Sequence, residues 1–141
     1  MTERTGKCLC GAVTFKITAE PIFARICWCR DCQHIASNGS VNILVPAESL
    51  AIHGKVASHS SKADSGNEMT RQFCPECGCH LFGLNAARPQ IRMVRVGNLD
   101  NPSSITPSQN IWVVSAPKWA CLDAAMERVE RQPVPPVMTK N

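Results

Sequence analysis

Apolar and β-branched residues occur along this chain in short runs that are separated by polar, turn-forming stretches. Short runs of this composition, bounded by Gly, Pro, Asn and Ser, are typical of β-strands. The pattern predicts strands at residues 12–17, 25–28, 41–45, 50–54, 56–61, 80–85, 91–96 and 110–114, and residues 69–73 lead into a cysteine cluster. Gly54-Lys55 is the turn type of a tight hairpin, so we expect 50–54 and 56–61 to pair with each other.

Only residues 119–131, WACLDAAMERVER, have a composition that favours a helix, which Pro133 would end. No alternation of strands and helices is visible, so a parallel α/β fold is not predicted. The 141 residues fit one domain. We predict a mainly β single domain over residues 1–131 with one short C-terminal helix, followed by an extended tail at 132–141.

Composition and charge narrow the function classes. The chain has 44% hydrophobic residues, no apolar run of the ~20 residues that a membrane span needs, and no apolar secretory signal at its start. The expectation is a cytoplasmic protein without a membrane partner. The formal net charge is +4, but there is no run of Lys or Arg, so a nucleic-acid partner is not predicted.

Nine cysteines in a reducing compartment point to metal binding or redox chemistry rather than to disulfides. Eight of them fall in three clusters, while Cys121 stands apart and is expected to be a buried apolar residue. The clusters are Cys8-x-Cys10, Cys27-x-Cys29-x-x-Cys32 and Cys74-x-x-Cys77-x-Cys79. This spacing favours metal ligands over scattered core thiols.

The segment FCPECGCHLF has the form of a zinc knuckle, in which two thiolates reach one ion and Gly78 can take the positive φ of the turn. A knuckle supplies two ligands, whereas structural zinc takes four. KCLCG, at 7–11, is the natural second pair. The sequence therefore predicts a structural zinc site whose ligands are Cys8, Cys10, Cys74 and Cys77.

Cys27, Cys29 and Cys32 remain, and three ligands with an open position are typical of a catalytic zinc. The alternative is a second closed site, completed by Cys79, His34 or His80. Redox chemistry at these thiols is a further possibility. Three thiolates on Zn²⁺ make a soft centre with one negative charge, which suits a thiolate as fourth ligand better than it suits making hydroxide. We therefore expect two zinc ions and a small thiol substrate that attacks an electrophilic carbon.

Five segments together resemble the glutathione-dependent formaldehyde-activating enzyme family, which includes the centromere protein V type of domain. They are GKCLCGAVTF, CWCRDCQ, FCPECGCHLF, VRVGNLDNP and SAPKWACLD, and the resemblance runs from about residue 6 to 125. The resemblance implies coiled antiparallel sheets of the β-tent type organised around zinc. It implies carbon–sulfur lyase activity that joins glutathione and formaldehyde to S-hydroxymethylglutathione. It also implies that the first and third cysteine clusters hold the structural zinc and that Cys27, Cys29 and Cys32 hold the catalytic one.

Two positions depart from the family pattern: Trp28 stands where His is common, and Cys79 stands where Ser or Thr is common. Trp28, Trp119 and Arg30 are candidate substrate-contacting residues, although core packing is the more ordinary role for the tryptophans. Arg30 and Arg71 could bind a substrate carboxylate, but the ordinary role of both is solvated surface. His80 is a candidate ligand or proton shuttle.

Three functional hypotheses follow. The first is a zinc-dependent enzyme that acts on adducts of a small thiol such as glutathione with a small aldehyde. The second is a binding module stabilised by two closed zinc sites, without catalysis. The third is a sensor of thiol oxidation or formaldehyde stress.

Overall fold

The computed structural model describes residues 3–134, which form two β-sheets and one short α-helix. The strands are β1 (Arg4–Lys7), β2 (Thr14–Ile17), β3 (Phe23–Cys27), β4 (Ser40–Pro46), β5 (Leu50–His53), β6 (Ala57–Lys62), β7 (Glu68–Phe73), β8 (His80–Asn85), β9 (Ile91–Arg95), β10 (Gln109–Ile111) and β11 (Glu127–Val129). The α-helix, α1, is Arg30–Ala36, and single 3-10 turns occupy Ala47–Ser49, Val96–Asn98, Pro102–Ser104 and Val113–Ser115. The predicted mainly β class is confirmed.

The smaller sheet has the order β1-β2-β5, and the larger has the order β11-β10-β3-β4-β9-β8-β7-β6. Pairing is antiparallel except around β10, which runs parallel to β3 and to β11. None of the helices in the described part of the chain has the length and apolar composition to span a bilayer.

Successive side chains along each strand of the larger sheet point to opposite faces, so one face of this sheet lies toward the core and the other toward a cavity. Ile43, Val45 and Val94 are fully buried and pack with Phe82 in the main core. Phe82 meets Phe15 of the smaller sheet edge to face, with ring centroids 5.3 Å apart. The core therefore lies between the two sheets, and the opposite face of the larger sheet is left for a ligand.

The predicted hairpin of residues 50–54 and 56–61 is wrong. β5 pairs with β2 in the smaller sheet, and β6 pairs with β7 in the larger one. Gly54 does turn the chain, with φ +102°, but its backbone lies against Ala12, where a Cβ would collide with the carbonyl oxygen. The turn thus passes the chain between sheets instead of joining two neighbouring strands.

The predicted helix at 119–131 is also wrong. Asp123 instead forms an Asx turn, in which its Oδ1 accepts the N–H of Ala125 at 2.8 Å. Such side-chain bonds to the backbone compete with helix formation. β11 then adds to the edge of the larger sheet. The helix that does form, α1, begins within the second cysteine motif, directly after Cys29.

The predicted tail at 132–141 falls mostly outside the described residues. Gln132 is described, and its Oε1 accepts the indole N–H of Trp112 at 2.9 Å. Gln132 and Pro133 both line the cavity discussed below. The domain boundary at residue 131 stays a prediction.

Candidate functional site: two cysteine clusters and a cavity

The first and third cysteine motifs meet at the junction of the two sheets. The sulfurs of Cys8, Cys10, Cys74 and Cys77 all lie within 4.8 Å of one another. Cys10 Sγ is 3.7 Å from both Cys8 Sγ and Cys74 Sγ. Tetrahedral zinc with Zn–S bonds of about 2.3 Å requires sulfurs about 3.8 Å apart. This cluster therefore fits the predicted four-thiolate zinc.

Backbone N–H groups help to hold these sulfurs. Val13 N–H donates to Cys8 Sγ at 3.3 Å and Ala12 N–H to Cys10 Sγ at 3.5 Å. Gly78 has φ +73°, which closes the knuckle turn so that its N–H reaches the carbonyl of Cys74. Although burial opposes it, the Val13 N–H and the neighbouring thiols lower the pKa of Cys8 to about 6. A lowered pKa favours the thiolate that zinc requires.

The second cluster is formed where β3 passes into α1. Cys27 ends β3, Cys29 is the N-cap of α1, and Cys32 lies in its first turn. Their sulfurs lie within 4.8 Å of one another, and all three side chains are buried. Cys29 Sγ accepts the N–H of Cys32 at 3.4 Å, as a Ser or Asp would at this position. The spacing suits three ligands of one zinc ion.

The predicted extra ligands do not join this cluster. Cys79 donates its S–H to Asn98 Oδ1 at 3.1 Å, and burial raises the pKa of Cys79, so it stays a neutral thiol. His34 is exposed. Burial and the charges of Arg95 and Arg71 lower the pKa of His80, whose ring packs on Phe73. No fourth His, Cys, Asp or Glu of residues 3–134 completes the group.

A cavity of about 450 Å³ opens beside the three cysteines. Its polar lining comprises Arg25, Cys27, Cys29, Cys32, Asn42, Ser65, Asn67, Arg71, Asn85, Arg88, Arg95 and Gln132. Its apolar lining comprises Leu44, Ala63, Met69, Gly83, Ala87, Ile91, Met93, Ile111, Trp112 and Pro133. The wall therefore combines apolar surface with converging polar groups, as small-molecule sites do.

The expectation that Arg71 lies on the solvated surface is wrong. Arg71 is only 7% exposed, and its Nη2 forms an ion pair with Asp31 Oδ2 of α1 at 3.3 Å. Arg95 is equally buried and was missed, as were Arg25 and Arg88. Arg25 and Arg95 lie inside predicted strands. Because a strand in a sheet usually buries at least one of its faces, a charged residue inside a strand is the sequence signal that could have identified these two arginines.

The charges of the cavity act on the thiols. In the metal-free cluster, hydrogen bonds from Cys27 and Cys29, together with Arg95 and Arg71, lower the pKa of Cys32 to about 3. Hydrogen bonding with Cys29 and Cys32, together with burial, raises the pKa of Cys27. These surroundings favour the thiolate form of Cys32, which is the form that metal binding requires.

The remaining candidates lie outside the cavity. Trp28 is 2% exposed, and its indole N–H donates to Asn110 Oδ1 at 3.0 Å, so it packs in the core. Arg30 is exposed and donates to Gln33. The expected core packing of Trp119 is wrong, because it is 65% exposed, and the expected burial of Cys121 is wrong as well.

Two cysteine clusters, one with four sulfurs and one with three, define a mainly β protein with two sites that could hold metal ions. Residues 3–115 match the model of the family described as glutathione-dependent formaldehyde-activating enzyme, and the chain belongs to this family. The predicted family is thereby confirmed, and the match covers four of the five segments, whereas SAPKWACLD begins where the match ends.

A curated relative agrees with this family, and a solved structure agrees with the fold. A Halomonas elongata protein, named as a candidate glutathione-dependent formaldehyde-activating enzyme, is 25% identical over 128 residues, which cover 84% of this chain and 80% of that protein. A crystal structure of a Rhodobacter sphaeroides protein matches with a TM-score of 0.56 and 20% identity. It covers 73% of this chain and 91% of the other, and it supports the fold.

Proposed function

We propose that this protein is a zinc-dependent carbon–sulfur lyase that joins a small thiol to a small aldehyde and reverses the reaction. The observation that carries the proposal is the set of three buried cysteine sulfurs facing a cavity without a fourth protein ligand among the described residues. The names of the family and of the Halomonas elongata relative favour glutathione and formaldehyde as the substrates.

Two zinc ions fit the two clusters, and each has a different role. Cys8, Cys10, Cys74 and Cys77 would hold a structural ion, whereas Cys27, Cys29 and Cys32 would hold the catalytic one. Zinc at the three-cysteine cluster would supply a position for a fourth thiolate and keep that sulfur deprotonated near neutral pH.

The reaction is an addition without oxidation or reduction. The thiol sulfur attacks the carbonyl carbon, a C–S bond forms, the C=O π bond breaks, and the proton lost by the thiol ends on the former carbonyl oxygen. Arg71 and Arg95 border the reacting site and would stabilise the negative charge on sulfur and then on oxygen. The buried walls of the cavity would limit competing water. Thiol chemistry of this kind fits the reducing cytoplasm.

Cobalt substitution tests the open position directly. We expect glutathione to shift the cobalt–thiolate absorption of the wild-type protein and to leave that of Cys29→Ser unshifted. Cys121→Ser, whose thiol is exposed and lies outside both clusters, is the matched control and should respond as the wild type does. If no small thiol shifts the spectrum, the proposal fails. Exchange measurements with formaldehyde and glutathione then test the reaction itself.

A further inference from the structure

Part of the cavity wall comes from a segment that lies beyond the region matched by the family model. The match ends at residue 115. Gln132 and Pro133 nevertheless line the cavity together with the three-cysteine cluster. The segment of residues 130–133, which we call the strap, therefore builds one side of the site from outside the matched region.

Strand β11 brings the strap to the cavity. β11 pairs in parallel with β10, and Val129, its last residue, lies opposite Ile111. Gln109 Nε2 also donates to Glu127 Oε2 at 3.0 Å across this pair. Because β10 is parallel to β3 as well, with Ile111 opposite Cys27, these three strands end together. The strap thus leaves the sheet at the end where the three-cysteine cluster begins.

Trp112 holds the strap through both its side chain and its backbone. Its indole N–H donates to Gln132 Oε1 at 2.9 Å, and its backbone N–H donates to the carbonyl of Arg131 at 3.3 Å. Val114 N–H donates to the carbonyl of Glu130 at 3.3 Å, and the Arg131 guanidinium carbon lies 6.0 Å from the centroid of the Trp112 ring. Since Trp112 is only 7% exposed and lines the cavity, the same side chain forms wall and anchor.

The backbone of Trp112 takes a conformation that bulky residues rarely adopt. Its φ of 58° lies in the left-handed region, and within residues 3–134 Ser37 is the one other non-glycine residue with positive φ. Conformations of this kind persist where the surrounding structure holds them, and they concentrate at functional sites. Here the left-handed residue ends the path of β10 and starts the turn whose N–H groups bind the strap.

The same turn is bonded to the helix of the three-cysteine motif. Gln33 of α1 donates from Nε2 to the carbonyl of Ser115 at 2.9 Å and to the carbonyl of Trp28 at 2.8 Å. Ser115 closes the 3-10 turn that follows Trp112. The turn therefore connects the strap to the helix that carries Cys32, and it fixes the position of the strap relative to the cluster.

The strap itself is held by few contacts. Glu130, Arg131 and Gln132 are exposed, and Pro133 is half-buried. A segment with solvent-exposed hydrogen bonds and little buried apolar surface opens at a low cost in free energy. The bond from the Trp112 indole to Gln132 is therefore a suitable point at which to test what the strap does.

We propose that Gln132 and Pro133 limit the size of the molecules that reach the three-cysteine cluster, and that Trp112 is the residue that positions them. The strap narrows the mouth of the cavity while the indole bond to Gln132 is made, and loss of that bond widens the mouth. Small molecules pass in either case, whereas larger ones depend on the strap. The inference rests on the proposed function, because it takes the cluster as the metal site that ligands must reach.

Zinc transfer to a chromophoric chelator measures access to the cluster without any thiol. 4-(2-Pyridylazo)resorcinol would be added to the zinc-loaded protein, and the phase that disappears in Cys29→Ser belongs to the three-cysteine site. Gln132→Ala, and Trp112→Phe, which keeps an aromatic ring but loses the N–H, should each speed this phase roughly fivefold, since one ordinary hydrogen bond is lost. Transfer from the four-cysteine site is the internal control and should not change.

The effects of the two substitutions should not add. Trp112→Phe combined with Gln132→Ala should match either single variant, because both remove the same bond. Gln90→Ala and Trp119→Phe are the matched controls, since both residues are exposed and lie outside the cavity lining, and they should transfer zinc at the wild-type rate. An unchanged rate in Gln132→Ala, which alters an exposed side chain, or an equal gain in Gln90→Ala would overturn the proposal.

Two thiols of different size test the limit itself. The rates at which 2-mercaptoethanol and glutathione shift the spectrum of the cobalt-loaded protein would be compared. Gln132→Ala should raise the glutathione rate more than the 2-mercaptoethanol rate, by about twofold or more in their ratio, and an unchanged ratio would contradict a size limit. If neither thiol shifts the spectrum, the proposed function fails, and the chelator rates alone then decide whether the strap limits access.

Discussion

Trp28 is the position at which the CWCRDC motif departs most visibly from the pattern of its family. The side chain is buried with Ile111 and Trp112 and makes a hydrogen bond to Asn110, a residue that is 1% exposed. It does not line the cavity. The departure therefore concerns how the motif is packed, whereas the cysteines that line the cavity, Cys27, Cys29 and Cys32, are retained.

Gly39 shows how tightly this tryptophan is held. A Cβ at Gly39 would lie 2.6 Å from Ile26 Cγ2 and 2.7 Å from Trp28 Cε2. We expect Gly39→Ala to lower the free energy of unfolding by about 1–3 kcal/mol, since the added methyl group would overpack this site. Urea denaturation of the zinc-loaded protein would measure it.

Gly97→Ala is the control for this substitution, because nothing lies within 4 Å of a Cβ at that position. Its effect should stay within about 0.5 kcal/mol. Similar losses in the two variants would mean that the contact with Trp28 is not what limits the size of residue 39.

At the scale of elements, α1 sets the geometry of the three-cysteine cluster. It is seven residues long, carries Cys32 and Asp31, and has Cys29 as its N-cap. It ends at Ser37, which takes the left-handed conformation with φ 58° while its N–H bonds to the carbonyl of Gln33 at 2.8 Å. The same short element and its N-cap thus supply two of the three clustered cysteines and the carboxylate that pairs with Arg71.

Ser37→Gly should raise the free energy of unfolding by about 0.5–1 kcal/mol. The left-handed conformation costs a non-glycine residue roughly 1–2 kcal/mol, and the greater backbone entropy of unfolded glycine offsets only part of that gain. Chemical denaturation at fixed zinc concentration would check it. Ser58→Gly, on exposed strand β6, should lower the stability instead. A loss at both positions would show that the helix end is not strained.

Elements that bury one face were predictable from composition, and those that depend on distant partners were not. All strands from β2 to β10 except β7 overlap a predicted run, and β2, β4, β8, β9 and β10 bury apolar residues in a core. α1 was missed because Cys29 is not a usual N-cap residue and because the helix is short. β11 was missed because its pairing with β10 is a tertiary contact. The cysteine spacing predicted both clusters, whereas the four arginines of the cavity come from β3, β7, β9 and the β8–β9 turn, and only the fold brings them together.

At the scale of the whole molecule, the four-cysteine cluster joins the two sheets. Cys8 and Cys10 follow β1 of the smaller sheet, and Cys74 and Cys77 lie between β7 and β8 of the larger one. Cys8 and Cys74 also belong to the core cluster that holds Phe15 and Phe82. A zinc ion here would crosslink segments that are more than 60 residues apart in the sequence. A crosslink that closes so long a loop strongly restricts the unfolded chain and thereby stabilises the fold.

Removing one ligand of this cluster should therefore affect the entire fold. Structural zinc contributes on the order of 10–16 kcal/mol in small zinc fingers, which exceeds the net stability of an ordinary domain. We expect Cys74→Ser to lose one of two zinc ions by native mass spectrometry and to lower the Tm by more than about 10 °C, or to prevent folding. Cys121→Ser, at an exposed thiol outside both clusters, should keep both ions and the wild-type Tm. A folded Cys74→Ser with two bound ions would refute the assignment of this site.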